Sequence, residues 1–344
     1  MRYSLLSLLV LASVASLAAA EMAAEPAAAR KPAKGAPLPP RTGIKTPGVQ
    51  IPYSSLKSDA ELDLGAKPGA GLTGATLWVP LRDKGTLARI DAKAAKLGDP
   101  ISGLNKPCAG AVEAFGSIWV PDCGTNTITR LDAKTGKITA TVESGAGDLT
   151  LGIAATADSI WAFTDTRTTL SRIDPKTNRV VAELRLPERC DALLSAESSL
   201  WCACPNIGKV LRIDPKTNLV TKRIETQAMP TALAFGEGSL WAYCKKDGKL
   251  DRIDPKTDKV TKTIDLGTPG ADGDVSVGEG AVWLSLTGFP VTRVDAKSEK
   301  VLQQFWGTGG GLIRATGGAV WLYNTAQTSV TKLDPKRIQA TLAE

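Results

Sequence analysis

The string RIDPKT stands at 172–177, at 212–217 and again at 252–257 without a change. Relaxed to Arg or Lys, an aliphatic residue, Asp, Ala or Pro, then Lys, it occurs seven times in the 344 residues. The aspartates are Asp91, Asp132, Asp174, Asp214, Asp254, Asp295 and Asp334, in steps of 39 to 42 residues. A tryptophan keeps the same beat: Trp78, Trp119, Trp161, Trp201, Trp241, Trp283 and Trp321 each precede their aspartate by 13 residues, or by 12 for Trp283. A unit of about 40 residues holding several short strands cannot bury its apolar faces alone, and a row of seven reads as a β-propeller.

One unit shows how. In LGIAATADSIWAFTDTRTTLSRIDPKTNRVVAELR (151–185) apolar residues alternate through LGIAAT, SIWAF, TLSRI and RVVAEL, the period of a strand. The pieces between them, ADS, TDTRT and DPKTN, are turn chemistry. Four strands and three tight turns make one blade. No helical period appears, so the chain is expected to be all-β: a seven-bladed β-propeller of four-stranded antiparallel blades over 51–344. RIDPKT is then the hairpin between the third and fourth strands. Asp174 accepts from the backbone N–H groups that follow it, Pro175 presets φ, and Asn178 takes a left-handed conformation, as Gly136 and Asp258 do in their copies. The tryptophans fall on the second strand and fill the space between blades. Trp306 alone is out of register, before GTGGG (307–311), and is kept as a ligand-stacking candidate. Two segments compete to complete the ring. IQATL (338–342) follows the last hairpin as an outer strand, and AELDLG (60–65) resembles the outer strand TIDLG (263–267), so the N-terminal segment is expected to pair with the last blade.

Residues 1–20 read as a signal peptide: Arg2, the apolar run LLSLLVLASVASLAAA (5–20), and small residues before Glu21. No cysteine follows the run to carry a lipid, so a periplasmic or secreted location is expected, with membrane contact only if the N-terminal segment is retained. Residues 21–50, rich in Ala, Pro and Lys, cannot bury a core and read as a linker. That segment and Arg2 carry four of the net seven positive charges. The weakly basic propeller gives no ground for sequence-specific nucleic-acid binding. The hairpin lysines, one per blade, disperse around the rim of what is expected to be a monomer.

Six cysteines in an exported chain imply disulfides. Cys108 and Cys123 flank Trp119 at adjoining ends of a hairpin, and Cys190 and Cys204 repeat the arrangement around Trp201. Cys202 and Cys244 remain, and a third bridge across neighbouring blades is expected. A cysteine metal site around Cys202 and Cys204 would lack any histidine partner.

The seven units also compare with one another. The DPKT hairpins and the turns before tryptophan are monotonous, whereas the loops leading into each innermost strand and those after each tryptophan strand vary. Propeller geometry puts both variable classes on one face, at the channel mouth, where a binding site is expected. Its polar candidates are Asn105, Asp122, Asp148, Asp165, Arg167, Arg189, Asp191, Asn206, Asp272 and Asp274. Asp272 and Asp274 in GADGD can hold a divalent cation, magnesium or calcium, through carboxylate, carbonyl and water oxygens, and no other cofactor is called for. GTGGG has no helix after it and is no phosphate loop.

The units GSIWV (116–120) and GSLWA (238–242), with RIDPKTNRV (172–180) and RIDPKTDKV (252–260), resemble the repeats of the streptogramin B lyase (virginiamycin B lyase) class of seven-bladed propellers. They are also similar to the YVTN-type repeat propellers that bacteria export. The likeness spans about 60–344 and rests on scaffold motifs. For the lyases it implies a metal-assisted elimination with a catalytic histidine on the channel face. This chain has no histidine, so no catalytic residue carries over, and triads or histidine-held zinc are excluded with it. The expectation is a non-catalytic binding propeller whose variable face takes a small molecule or a protein. The alternative is a lyase-like enzyme with a histidine-free, metal-carboxylate site.

Overall fold

A computed structural model describes residues 42–67, 76–146, 152–324 and 327–341. The expected leader, the linker up to residue 41, the innermost strand of the first repeat and Asp148 lie outside the described residues. Seven small antiparallel sheets follow one another, one per repeat tryptophan. Each of blades 2 to 5, numbered in chain order, runs from an innermost strand outward through four strands. Blade 4 is typical, with Ala192–Ala196, Ser199–Cys204, Lys209–Asp214 and Leu219–Glu225.

Position within a blade explains the sequence of each strand. The tryptophan strand is covered on both faces by neighbouring blades, and all six residues of SLWCAC are buried. A strand buried on both faces reads as a continuous apolar run. The outer strand, LVTKRIE, exposes five of its seven residues, among them the cations Lys222 and Arg223, which protects a free edge.

The hairpin behaves as its letters require. Asp214 Oδ1 accepts the Lys216 N–H at 2.9 Å, and the Asn218 N–H closes onto the Asp214 carbonyl at 2.9 Å. Asn218 has φ 58°, and the residue four past each aspartate repeats it at Ala95, Gly136, Asn178, Asp258 and Glu299.

The arginine that opens the motif has a second task. Arg212 pairs in register with Trp201 and lies 5.0 Å from its ring centroid. Its Nε donates to Ser199 Oγ at 3.0 Å, while Nη1 reaches the next blade, donating to Pro255 O at 2.9 Å and Asp258 Oδ1 at 2.8 Å. Arg130, Arg172 and Arg252 make the same clasp, each from the serine two before its tryptophan to the left-handed residue of the next hairpin. RIDPKT is therefore both a turn and the fastener between blades.

The ring is completed by the N-terminal segment. Ala60–Asp63 lies antiparallel on Ser329–Leu333 as the outer strand of blade 7, and Gln50–Pro52 adds a fifth, parallel strand to blade 6. The described part of IQATL, residues 338–341, is not a strand: Pro335–Ala340 is a helix, capped by the Asp334 side chain on the Lys336 N–H. The first turn is that of five other copies, with the Ile338 N–H on the Asp334 carbonyl at 3.1 Å. The residue due to turn left-handed is here the β-branched Ile338, so the chain continues as a helix and buries that side chain. Gln303 Nε2 donates to the Ile338 carbonyl and fastens the helix to blade 6.

Two disulfides form as expected, Cys108–Cys123 and Cys190–Cys204. The third does not: Cys202 and Cys244 are free and buried. Strand alternation is the reason. Both stand an odd number of residues past their tryptophan, so each faces the preceding blade. Cys202 packs in the core shared with blade 3, while Cys244 has the parity of Leu240 and Ala242, which face blade 4.

Candidate functional site

Both variable loop classes share one face. The turn after each tryptophan strand receives hydrogen bonds from the loop that leads on to the next innermost strand: the Thr226 N–H meets the Gly208 carbonyl at 3.1 Å, and the Leu266 N–H that of Gly248 at 3.0 Å.

On this face the expected residues gather in separate groups. The Asn105 N–H donates to Asp122 Oδ2 at 2.6 Å, beside the Cys108–Cys123 bridge. Asp122 is 3% exposed, its Oδ1 has no hydrogen-bond partner, and burial pushes its carboxyl above the usual range. Arg167 and Arg189 both reach Asp191 Oδ1, at 2.9 and 3.2 Å, and the adjoining Cys190 is tied to Cys204. Asp165 pairs with Arg185 and belongs to a turn whose residues Asp165, Thr166 and Arg167 all have positive φ. The equivalent turn in blade 4 (205–208) delivers its left-handed residue as Gly208, and Asn206 is exposed at its tip. Trp306 ends the outer strand of blade 6 opposite Pro52, on the periphery of the ring.

Asp272 and Asp274 are turned to different partners. Asp272 is exposed and pairs with Lys245. Asp274, 2% exposed, pairs with Arg314 of blade 7 and accepts the Ile313 N–H at 3.1 Å. Among the described residues no three His, Cys, Asp or Glu side chains converge as a metal cluster.

Asp274 is also the one sequence candidate on the described wall of a central channel of about 790 Å³. The wall is mostly apolar, with Ile153, Leu193, Leu194, Leu233, Phe235 and Val275 among its residues. Its ionisable members are Glu113, Asp274 and Arg314. Sequence reasoning missed Glu113 and Arg314. The signal was present in VEA (112–114) and LIRA (312–315), where a charge interrupts an innermost strand that is otherwise apolar. Glu113 Oε2 accepts the indole N–H of Trp78, from blade 1, at 3.5 Å. In blades 2, 4, 5 and 6 that indole proton goes instead to the backbone carbonyl five residues earlier.

A cavity of this volume falls within the size range of small-molecule sites. Its described wall offers burial of apolar surface beside a few fixed charges.

Solved structures agree on the architecture. A streptogramin B lyase superposes with a TM-score of 0.65 at 18% identity, over 80% of this chain and 96% of that one. Virginiamycin B lyase from Staphylococcus aureus gives 0.66 at 18%, over 80% and 98%, and so does its catalytically inactive histidine-to-alanine variant with quinupristin. BamB from Moraxella catarrhalis gives 0.57 at 14%, over 77% and 84%. The likeness is one of fold. No protein-family profile matches the chain, and no curated protein matches it. The two disulfides are consistent with an oxidising compartment outside the cytoplasm.

Proposed function

We propose that the chain is an exported, non-catalytic binding propeller that admits a small molecule to its central channel through the variable mouth face. The channel itself carries this reading: about 790 Å³ with a mostly apolar wall, in a scaffold that repeats its hairpins and diversifies its mouth loops. A protein partner on the same face is the variant of this reading, since diversified loops on a repeating scaffold serve either kind of ligand. The leader-like residues 1–20 and the two bridges support export to the periplasm or beyond.

The metal-assisted lyase reading draws on the fold shared with virginiamycin B lyase. It would place a cation at Asp272 and Asp274, whose carboxylates here already face Lys245 and Arg314. Native mass spectrometry of the protein taken from its own cell envelope tests both readings. Binding predicts a mature chain lacking the leader, four hydrogens lost to two disulfides, and a small-molecule adduct released by mild activation. A stoichiometric divalent metal that Asp274→Asn removes would replace the binding reading with the lyase one.

A further inference from the structure

We propose that the channel is selective for an organic cation, a protonated amine or quaternary ammonium on an apolar body, with its charge at Glu113. This rests on the binding role proposed above and names the ligand class for the same cavity.

Charge accounting on the wall comes first. Asp274 and Arg314 neutralise each other, and Asp274 is further held by the Ile313 N–H. Glu113 is left as the uncompensated charge of the described wall.

Height in the channel comes second. Glu113 lies opposite Ile118 and Phe235 opposite Leu240, each one position before the blade tryptophan. The two therefore stand in the same tier, on blades 2 and 5, at separate points around the ring. Ser195 and Val277 occupy that tier in blades 4 and 6, opposite Leu200 and Val282. One carboxylate and one aromatic ring, among described tier members otherwise small and uncharged, form a cation site: the carboxylate supplies charge, and the ring adds its quadrupole and apolar area. The Trp78 indole proton on Glu113 Oε2 helps to hold the carboxylate on the wall. An anion of the same shape would meet the uncompensated carboxylate and is rejected.

The test is calorimetric titration of the full-length protein with phenylbutylammonium and with phenylbutyrate, which share a body and differ in the sign of charge. The wild type should bind the ammonium about tenfold more tightly, the order expected of one partly screened charge pair. Glu113→Gln should remove the preference, and Glu113→Lys should reverse it; an unchanged unfolding midpoint in both confirms that they fold. Equal or tighter binding of phenylbutyrate to the wild type, or an undiminished preference in Glu113→Lys, would overturn the charge assignment and leave the channel reading intact. Binding of neither probe to the wild type would overturn both.

Discussion

Replacing Arg212 by methionine keeps the apolar stem and deletes the guanidinium, which isolates the inter-blade clasp. The guanidinium sits 5.0 Å from the Trp201 centroid, a cation–π contact worth about 1 kcal/mol at a half-buried site. Its ion pair with Asp258 joins side chains 24% and 12% exposed, so solvent still screens it and about 1 kcal/mol is appropriate. Hydrogen bonds to Ser199 Oγ and Pro255 O contribute about 1 kcal/mol each. Releasing the ordered side chain returns about 1–2 kcal/mol of that total. Arg212→Met should therefore destabilise the fold by about 2–3 kcal/mol, read as a lower urea midpoint with tryptophan fluorescence as the probe. The chain contains its own control. Arg130 and Arg172 donate to Asn178 and Asn218 where Arg212 donates to Asp258, so Asp258→Asn should preserve the clasp and cost less than about 1 kcal/mol. An Arg212→Met midpoint within about 0.5 kcal/mol of wild type, or an Asp258→Asn cost equal to that of Arg212→Met, would refute the clasp.

Asn218→Ile puts a β-branched residue at φ 58° and removes the acceptor of Arg172, so a loss of about 2–3 kcal/mol is expected in the same assay, whereas Asn218→Gly should lose only the acceptor. Burial pushes the Cys202 and Cys244 thiols far up, so a thiol reagent should find none in the native protein and two per chain after unfolding without reductant; zero after unfolding would mean a third bridge. Backbone N–H bonds hold Asp91, Asp132, Asp174, Asp214 and Asp254 below the usual carboxylate range, and Ser298, chiefly through its side chain, does so for Asp295. Folded values below unfolded ones mean that this stability is complete above the unfolded pKa and lost as pH falls through the folded values. The thermal midpoint should stay flat from about pH 5 to 8 and drop below about pH 4, with Asp122 alone opposing; a step near pH 6.5 would contradict a chain without histidine.

The seven-fold beat of tryptophan and aspartate made the propeller legible because both residues serve places that every blade must repeat. The arginine of RIDPKT recurs in six of the seven copies, with Lys332 in the last, yet its clasp was not legible, since its acceptors are supplied by the next blade. Ile338 was legible in principle: it stands where five hairpins have Gly, Asn, Asp or Glu and another has Ala. The odd offsets of Cys202 and Cys244 from their tryptophans likewise already ruled out a bridge between them. At the mouth, loop variability picked out the face on which both loop classes meet, and among its residues some that pair there, Asn105 with Asp122 and Arg167 with Asp191. It missed the channel wall, because innermost strands are short and their charges become conspicuous only when seven are brought around one axis.

The latch made by Gln50–Pro52 and Ala60–Asp63 sets an order of events. These residues are synthesised, and would be exported, before any blade, yet their partners are Lys300–Trp306 and Ser329–Leu333. Loop closure over so long an interval costs entropy that nearby contacts cannot repay in advance, so this pairing belongs to the end of folding. The head of the chain is thus the first part made and the last part placed. Blades formed one by one from local hairpins remain an open arc until the far end arrives. Once it does, neither terminus of the propeller is a loose end from which unfolding can run.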